Sequence, residues 1–272
     1  MIRATEADLP AIQAMLSARA PHAMFPQSNL RNQGLGGGHP HGMTVWIDTL
    51  HTVSAMLGLN NCGMVMPVWD DMPRGAADVL KRFPLKGFAG PTPMVRPLTT
   101  ALALDTAPAT LDADEPQFLL HLPTTRWSDD AGTLAPVSDH RETAIGWRTA
   151  YQTELHMTDD GPESAVAAVD RWCAADSHRL LIVEGQPVAM TGFNARLPDI
   201  VQVGGVYTPP DLRRRGFARQ AVALHLAEAR AQGVREATLF AATDAAVACY
   251  QSLGFDRIGD FALVLFDGEV TP

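Results

Sequence analysis

From residue 140 onward the apolar positions alternate between helical and strand-like periods. Ile145, Trp147, Tyr151 and Leu155 recur near helical spacing and predict a helix across HRETAIGWRTAYQTELHM. A second helix is predicted in PESAVAAVDRWCAADS, with Pro162 suited to its first turn. RLLIVEG and QPVAMTGFNA predict two strands joined in a hairpin around Glu184-Gly185-Gln186. DIVQVGGVYT is a further strand, rich in β-branched residues but interrupted by Gly204-Gly205, a pairing that inside a strand marks a bulge or a close backbone approach. RGFARQAVALHLAEARAQG carries Val222, Leu226 and Ala229 on one helical face, with Gly233 placed to stop it. A strand in VREATLFAA, a short helix in DAAVACYQSLG and a closing strand in FALVLF complete the series.

The first half is less regular. TEADLPAIQAML predicts a helix opened by Thr5, with Asp8 three residues on. MTVWIDT, TVSAMLGLN and CGMVMPVWD predict strands in series, and PRGAADVLKRF a helix. NQGLGGGHPHGM reads as a loop; its His39 and His41 fall short of the three or four ligands of a metal site, so no metal is expected. Residues 122–142 are rich in Asp, Ser, Thr, Pro and Gly and read as a linker. The division expected is a degenerate or accessory α/β domain over 1–123, a linker over 124–139 and a second domain over 140–272. Helix, strands, helix, strand recur in that order in both halves, which suggests two copies of one architecture, although no residue-level repeat accompanies it.

Composition narrows the function. The chain has 272 residues, 46% hydrophobic and 19% charged, as in a globular protein. It has no apolar run long enough to span a bilayer and no basic-then-apolar leader, so a cytoplasmic protein without a membrane partner is expected. Cys62, Cys173 and Cys249 are odd in number and far apart, which predicts buried free thiols rather than disulfides. A net charge of -9 opposes a nucleic-acid partner, since phosphate binding needs a basic face.

Against that charge, LRRRGFARQ crowds four arginines around one glycine. A strand ends at Tyr207-Thr208, a Pro-Pro turn follows, and a helix begins near Gly216. The first turn of a helix presents unpaired amides and the positive end of the macrodipole. Glycine there lets an anion approach those amides, and flanking arginines add charge, so the segment has the chemistry of a pyrophosphate cradle. It matches neither the dinucleotide fingerprint nor the P-loop.

Arg213-x-x-Gly216-x-Ala218 resembles the Q/R-x-x-G-x-G/A signature of the GNAT superfamily of N-acetyltransferases. Some thirty residues later YQSLGF, residues 250–255, is similar to the family's Y-x-x-x-G-F, and the resemblance runs from about residue 140 to 266. It implies the acyl-CoA N-acyltransferase fold, an α/β fold whose mixed, largely antiparallel sheet is flanked by helices, here in two tandem copies. It implies acetyl-CoA as co-substrate and a primary amine of a small molecule or amino-acid-like acceptor. On that resemblance Val206, Tyr207 and Thr208 would line the pantothenyl arm, Arg213, Arg214, Arg215, Gly216, Phe217, Ala218 and Arg219 would hold the pyrophosphate, and Tyr250 would protonate the departing thiolate. Trp147 and Tyr151 stand where the family's acceptor pocket forms, with Glu154 as the leading carboxylate, ahead of Asp244 and Glu184. The bent strand offers Gln202, which cannot titrate, so the general base is unassigned. Thr243 stands where the family often has Asn. The first half lacks the signature apart from Arg74-Gly75. A non-catalytic acyl-CoA sensor on the same fold is the alternative, and oligomeric state is not legible.

Overall fold

The computed structural model describes residues 1–49, 52–122, 127, 132–155 and 161–272. It divides into two compact units, Met1–Gln117 with Gly259–Pro272, and Phe118–Ile258.

The first unit has strands β1 (Ile2–Arg3), β2 (Met43–Ile47), β3 (Met56–Asn60), β4 (Met64–Val68), β5 (Leu85–Pro91) and β12 (Asp256–Val270), hydrogen-bonded in that order. Pairing is antiparallel except between β4 and β5, which run parallel through Met64↔Gly87 and Val65↔Phe88. Helices α1 (Leu9–Ser17), α2 (Met24–Gln33), α3 (Ala76–Leu80) and α4 (Thr92–Ala101) accompany them. Thr5 opens the first helical turn in a capping box, its backbone N–H donating to the Asp8 carboxylate at 2.8 Å. The predicted helix in PRGAADVLKRF shrinks to the five residues of α3. One core of this unit gathers Leu57, Trp69, Leu80, Phe88, Leu98 and Val264, all but Val264 at most 1% exposed. The glycine-rich loop at 34–42 is tied down: Asn61 Nδ2 donates to the carbonyls of Gly37 and His39 at 2.9 and 2.8 Å.

The second unit has β7 (Thr133–Pro136), β8 (His178–Val183), β9 (Gln186–Arg196), β10 (Ile200–Tyr207) and β11 (Glu236–Phe240), in the order β11-β10-β9-β8-β7, with the end of β6 (Ala109–His121) beside β11. Thr238 Oγ1 donates to the Phe118 carbonyl at 2.9 Å there. Helices α5 (Arg141–Glu154) and α6 (Gly161–Ala175) cover one face, packing with Leu180, Met190 and Tyr207. Helices α7 (Phe217–Ala231) and α8 (Asp244–Ser252) cover the other, with Phe193, Val201 and Val203. The predicted elements of this half all form.

Three expectations need correction. Thr133–Pro136 of the expected linker is an edge strand pairing antiparallel with β8, and residues 137–140 form a 3-10 turn. Of the rest of the linker, 124–126 and 128–131 lie outside the described residues. Second, β12 spans fifteen residues, and its length from Phe261 to Val270 pairs with β5, so residues from Gly259 belong to the first compact unit rather than to a domain over 140–272. Third, Cys62 is exposed and Cys173 and Cys249 are half-buried; none of the three is a fully buried thiol.

Candidate active site

Strand β10 is the origin of the site. It pairs parallel with β11 over Ile200–Gln202 against Glu236–Thr238, then runs on to Tyr207 while β11 ends at Phe240. Its antiparallel ladder with β9 shifts register twice, between Gln202 and Val203 and between Gly204 and Tyr207. The predicted Gly-Gly interruption is therefore a bulge, with Gly205 at φ +62°. A bulge adds local twist and turns the strand away from its neighbour, so β10 leaves β11 where the ladder stops.

Beyond Tyr207 the chain enters the arginine-rich loop and α7. Gly216 caps that helix at φ +81°, a conformation an L side chain adopts only under strain, and no side chain caps it among the described residues. A Cβ placed on Gly216 would meet nothing within 4 Å. Arg214 and Arg215 beside it are exposed, and Arg214 itself sits at φ +62°. A fifteen-residue helix thus starts at an open glycine cap beside exposed arginines, with the Arg215 guanidinium 4.7 Å from the Phe217 ring centroid, an arrangement that fits a pyrophosphate. Val206 packs against the core beneath α7 and α8, and Thr208 Oγ1 is buried without a hydrogen-bond partner among the described residues.

Arg213 is differently engaged. One guanidinium nitrogen lies 2.7 Å from both carboxylate oxygens of Glu154, and Nε donates to the Thr208 carbonyl at 2.8 Å. Its guanidinium carbon also lies 5.7 Å from the Tyr207 ring centroid. Tyr207 in turn touches Trp147 at 6.1 Å and Tyr151 at 6.3 Å between centroids. The three candidate acceptor residues are therefore gathered at the end of β10, with Arg213 joining them to the loop. Burial, then the charge of Glu154, pushes the Tyr207 hydroxyl up from its usual range, so it stays protonated.

Tyr250 is buried on α8 in the same cluster as Val203, its ring edge-on to Phe255 at 5.9 Å. Thr243 caps α8 by accepting from the Ala246 amide at 3.2 Å, a use for the residue standing where the family often has Asn. Asp244 follows it in the first turn, and Glu184 occupies the exposed hairpin turn at φ +50°. Gln202 is buried where the β10–β11 ladder ends; its Nε2 donates to the Val203 carbonyl at 2.9 Å, while Oε1 has no partner among the described residues.

The Acetyltransferase (GNAT) family profile matches residues 140–255. Over that stretch the chain carries a GNAT-type domain. No curated protein matches the chain in sequence. Among solved structures, a GCN5-related N-acetyltransferase from Kribbella flavida superposes at TM-score 0.58 and 15% identity, covering 93% of this chain and 96% of that one. A GCN5-related N-acetyltransferase from Sphaerobacter thermophilus gives 0.58 at 16% identity, over 100% and 95%. A tandem GNAT protein from the clavulanic acid biosynthesis pathway gives 0.50 at 13% identity, over 97% and 96%. At such identities the likeness is one of fold, and the tandem neighbour agrees with two GNAT-like copies in this chain.

Sequence reasoning singled out neither His178 nor Asn194, two side chains that lie against the glycines of the bulge. His178 is 1% exposed and stacks on Trp172 with centroids 3.8 Å apart; its Nδ1 lies 2.9 Å from Ser177 Oγ. Burial pushes its pKa well below the usual histidine range, with the charges of His225, Arg148 and Arg179 adding to the effect, so the ring is neutral. The only trace of either residue in the sequence is the glycines they lie against.

The GNAT fold supports acyl transfer, and no helix among the described residues is long and apolar enough to cross a membrane. Nor do the described residues contain a group of three or more His, Cys, Asp or Glu that could hold a metal ion.

Proposed function

We propose that the protein is an acetyl-CoA-dependent N-acetyltransferase that works in the cytoplasm on a primary amine of a small molecule or amino-acid-like acceptor. The observation that carries this reading is the course of β10. It parts from β11 after Gln202, bulges at Gly204-Gly205 and leads directly into the glycine-capped start of α7. A strand freed from its neighbour offers amides to an extended ligand as an added strand would, and the helix start receives the anionic end.

Acetyl-CoA supplies an activated acyl group on a thiol of moderate leaving ability. Val206 and Thr208 hold its arm through their backbone; Arg214, Arg215, Arg219 and the amides of Gly216 to Ala218 hold the pyrophosphate. An amide of the bulged segment stabilises negative charge on the thioester oxygen as the acceptor nitrogen bonds to the carbonyl carbon. Tyr250 gives its phenolic proton to the thiolate as the carbon–sulfur bond breaks, and the proton shed by the acceptor nitrogen, passed through solvent, restores the phenol. Trp147, Tyr151 and Tyr207 bound the acceptor side. Arg213, held by Glu154, positions that wall against the loop rather than pairing first with phosphate.

Calorimetric titration with acetyl-CoA, followed by thiol release across a panel of amines, tests the reading. Binding with amine-dependent release is expected. Binding without release from any amine would favour an acyl-CoA sensor, and absence of binding would remove both.

A further inference from the structure

The bulge in β10 is covered by the polar ends of two side chains from other strands of the second unit. A Cβ at Gly204 would overlap the carboxamide of Asn194 on β9. A Cβ at Gly205 would stand 2.8 Å from His178 Nε2, and one at Gly192 would overlap the same imidazole. Glycine at these three positions therefore lets an imidazole and an amide lie directly on the backbone where the strand turns away. Trp172 holds the imidazole from the other side.

Two features distinguish this arrangement from ordinary core packing. His178 Nε2 is buried with no hydrogen-bond partner among the described residues, a state that costs about 1–3 kcal/mol and calls for an explanation. Asn194, over the adjacent Gly204, is exposed, so the place is reachable from solvent. Both residues lie over the bulge. His178, through Trp172, sits on the face covered by α5 and α6, in the cluster that holds Tyr207 with Trp147 and Tyr151 packed around it. Gly205 and Tyr207 are two residues apart on β10, so one short stretch of strand serves both the imidazole and the aromatic group.

We propose that His178 and Asn194 form the acceptor-nitrogen subsite, taking an amine borne on an aromatic or apolar body whose ring lies against Trp147, Tyr151 and Tyr207. This deepens the acetyltransferase reading and rests on it. In this subsite His178 Nε2 accepts a hydrogen bond from the amine N–H, Asn194 Oδ1 accepts a second, and the nitrogen lone pair is turned toward the bulge. Neutrality of the ring keeps that lone-pair acceptor available at neutral pH, with Arg148 of α5, Arg179 of β8 and His225 of α7 as the charged or titratable groups acting on it.

The test uses phenethylamine and butylamine as acceptor probes with the full-length protein. His178→Phe keeps the stack on Trp172 and removes the ring nitrogens; Asn194→Ala alters an exposed position and spares the fold. Each is expected to raise the KM for phenethylamine about tenfold, with the acetyl-CoA Kd within twofold of the parent and phenethylamine preferred to butylamine in the parent. Unchanged KM in Asn194→Ala and His178→Phe overturns the subsite. So does a KM that rises only in step with the acetyl-CoA Kd, which would mark a structural role. A parent protein that binds acetyl-CoA yet releases no thiol with phenethylamine overturns it as well. Failure of the parent to bind acetyl-CoA is the separate result that sinks the acetyltransferase reading, and this one with it.

Discussion

The two units contain the same local sentence written twice. In the first, β4 leads through Arg74-Gly75 into α3, and the next strand, β5, returns parallel to β4. In the second, β10 leads through Arg215-Gly216 into α7, and β11 returns parallel to β10. Gly75 and Gly216 both cap their helices in the left-handed region, at φ +77° and +81°. The differences lie in what surrounds this shared turn. β4 pairs with β3 in unbroken register from Met56↔Val68 to Leu59↔Val65, with Pro67 inside it, whereas β10 is bulged. The helix after Gly75 has five residues and that after Gly216 fifteen. A five-residue helix has under one and a half turns of aligned peptide dipoles, so its start is a poor anion site. A turn present in both units thus has the geometry proposed for a phosphate cradle only where the bulge before it and the long helix after it are also present.

Placing the same charge at both caps tells the two turns apart. Gly216→Glu is expected to weaken acetyl-CoA binding at least 100-fold, about 2.7 kcal/mol, and Gly75→Glu to leave it within twofold; calorimetry on both variants decides. Equal losses would mean that the first unit also binds the ligand.

All three tyrosines, Tyr151, Tyr207 and Tyr250, fall in the second unit, so the first has no tyrosine to match the proposed proton donor. Tyr250→Phe should lower turnover about 100-fold with little change in acetyl-CoA Kd. A fall in affinity of similar size would make the tyrosine a binding group.

Much of this was legible beforehand, for a physical reason that the same comparison exposes. In the second unit, periodicity, the Gly-Gly interruption and the arginine loop are local signals, and each became the element predicted. The elements left unread in the first unit depend on neighbours remote in sequence. LKGFAGP makes a poor strand by composition, yet it forms β5, and a Cβ at Gly87 would overlap the Val264 carbonyl of β12. TPMVRPLTTA became α4 although Pro97 lies inside it. ATLDADEPQFLLH, with three acids and a proline, became β6, where Asp112 and Asp114 are paired with Arg96. His178 and Asn194 were missed for the same reason: they reach the bulge from other strands, and only sheet register brings them there.

Acid should weaken the second unit in particular, because it buries two neutral imidazoles. Burial pushes His178 well below its usual pKa and His225 down to about 3. Below the ordinary histidine value near 6.5 the unfolded chain binds protons that these folded rings refuse. Stability should therefore fall as pH drops through 6.5, and for His225 go on falling to about 3, at a rate approaching ~1.4 kcal/mol per pH unit for each ring. His225→Phe, which can keep the stack on Phe193, should flatten that limb in denaturant titrations run from pH 7 to 4. An unchanged slope would place the acid sensitivity elsewhere.

The smallest effect concerns the ion pair. Glu154 and Arg213 side chains are each about two-fifths exposed, so Glu154→Gln should cost under ~1 kcal/mol of stability. It should raise the KM for acceptor more than the Kd for acetyl-CoA, since it loosens the aromatic wall rather than the cradle. The reverse pattern would return Arg213 to the phosphate.

The placement of β12 carries a consequence for synthesis of the chain. Pro91 of β5 pairs with Phe261, so 170 residues must be made before that edge of the first unit is covered. At the usual pace of translation this is a wait of roughly 10–30 s, during which the apolar margin of β5 is open to chaperones or to wrong partners. The second unit is complete at Ile258, before the last residues of β12 appear. The unit begun first on the ribosome is therefore the one finished last.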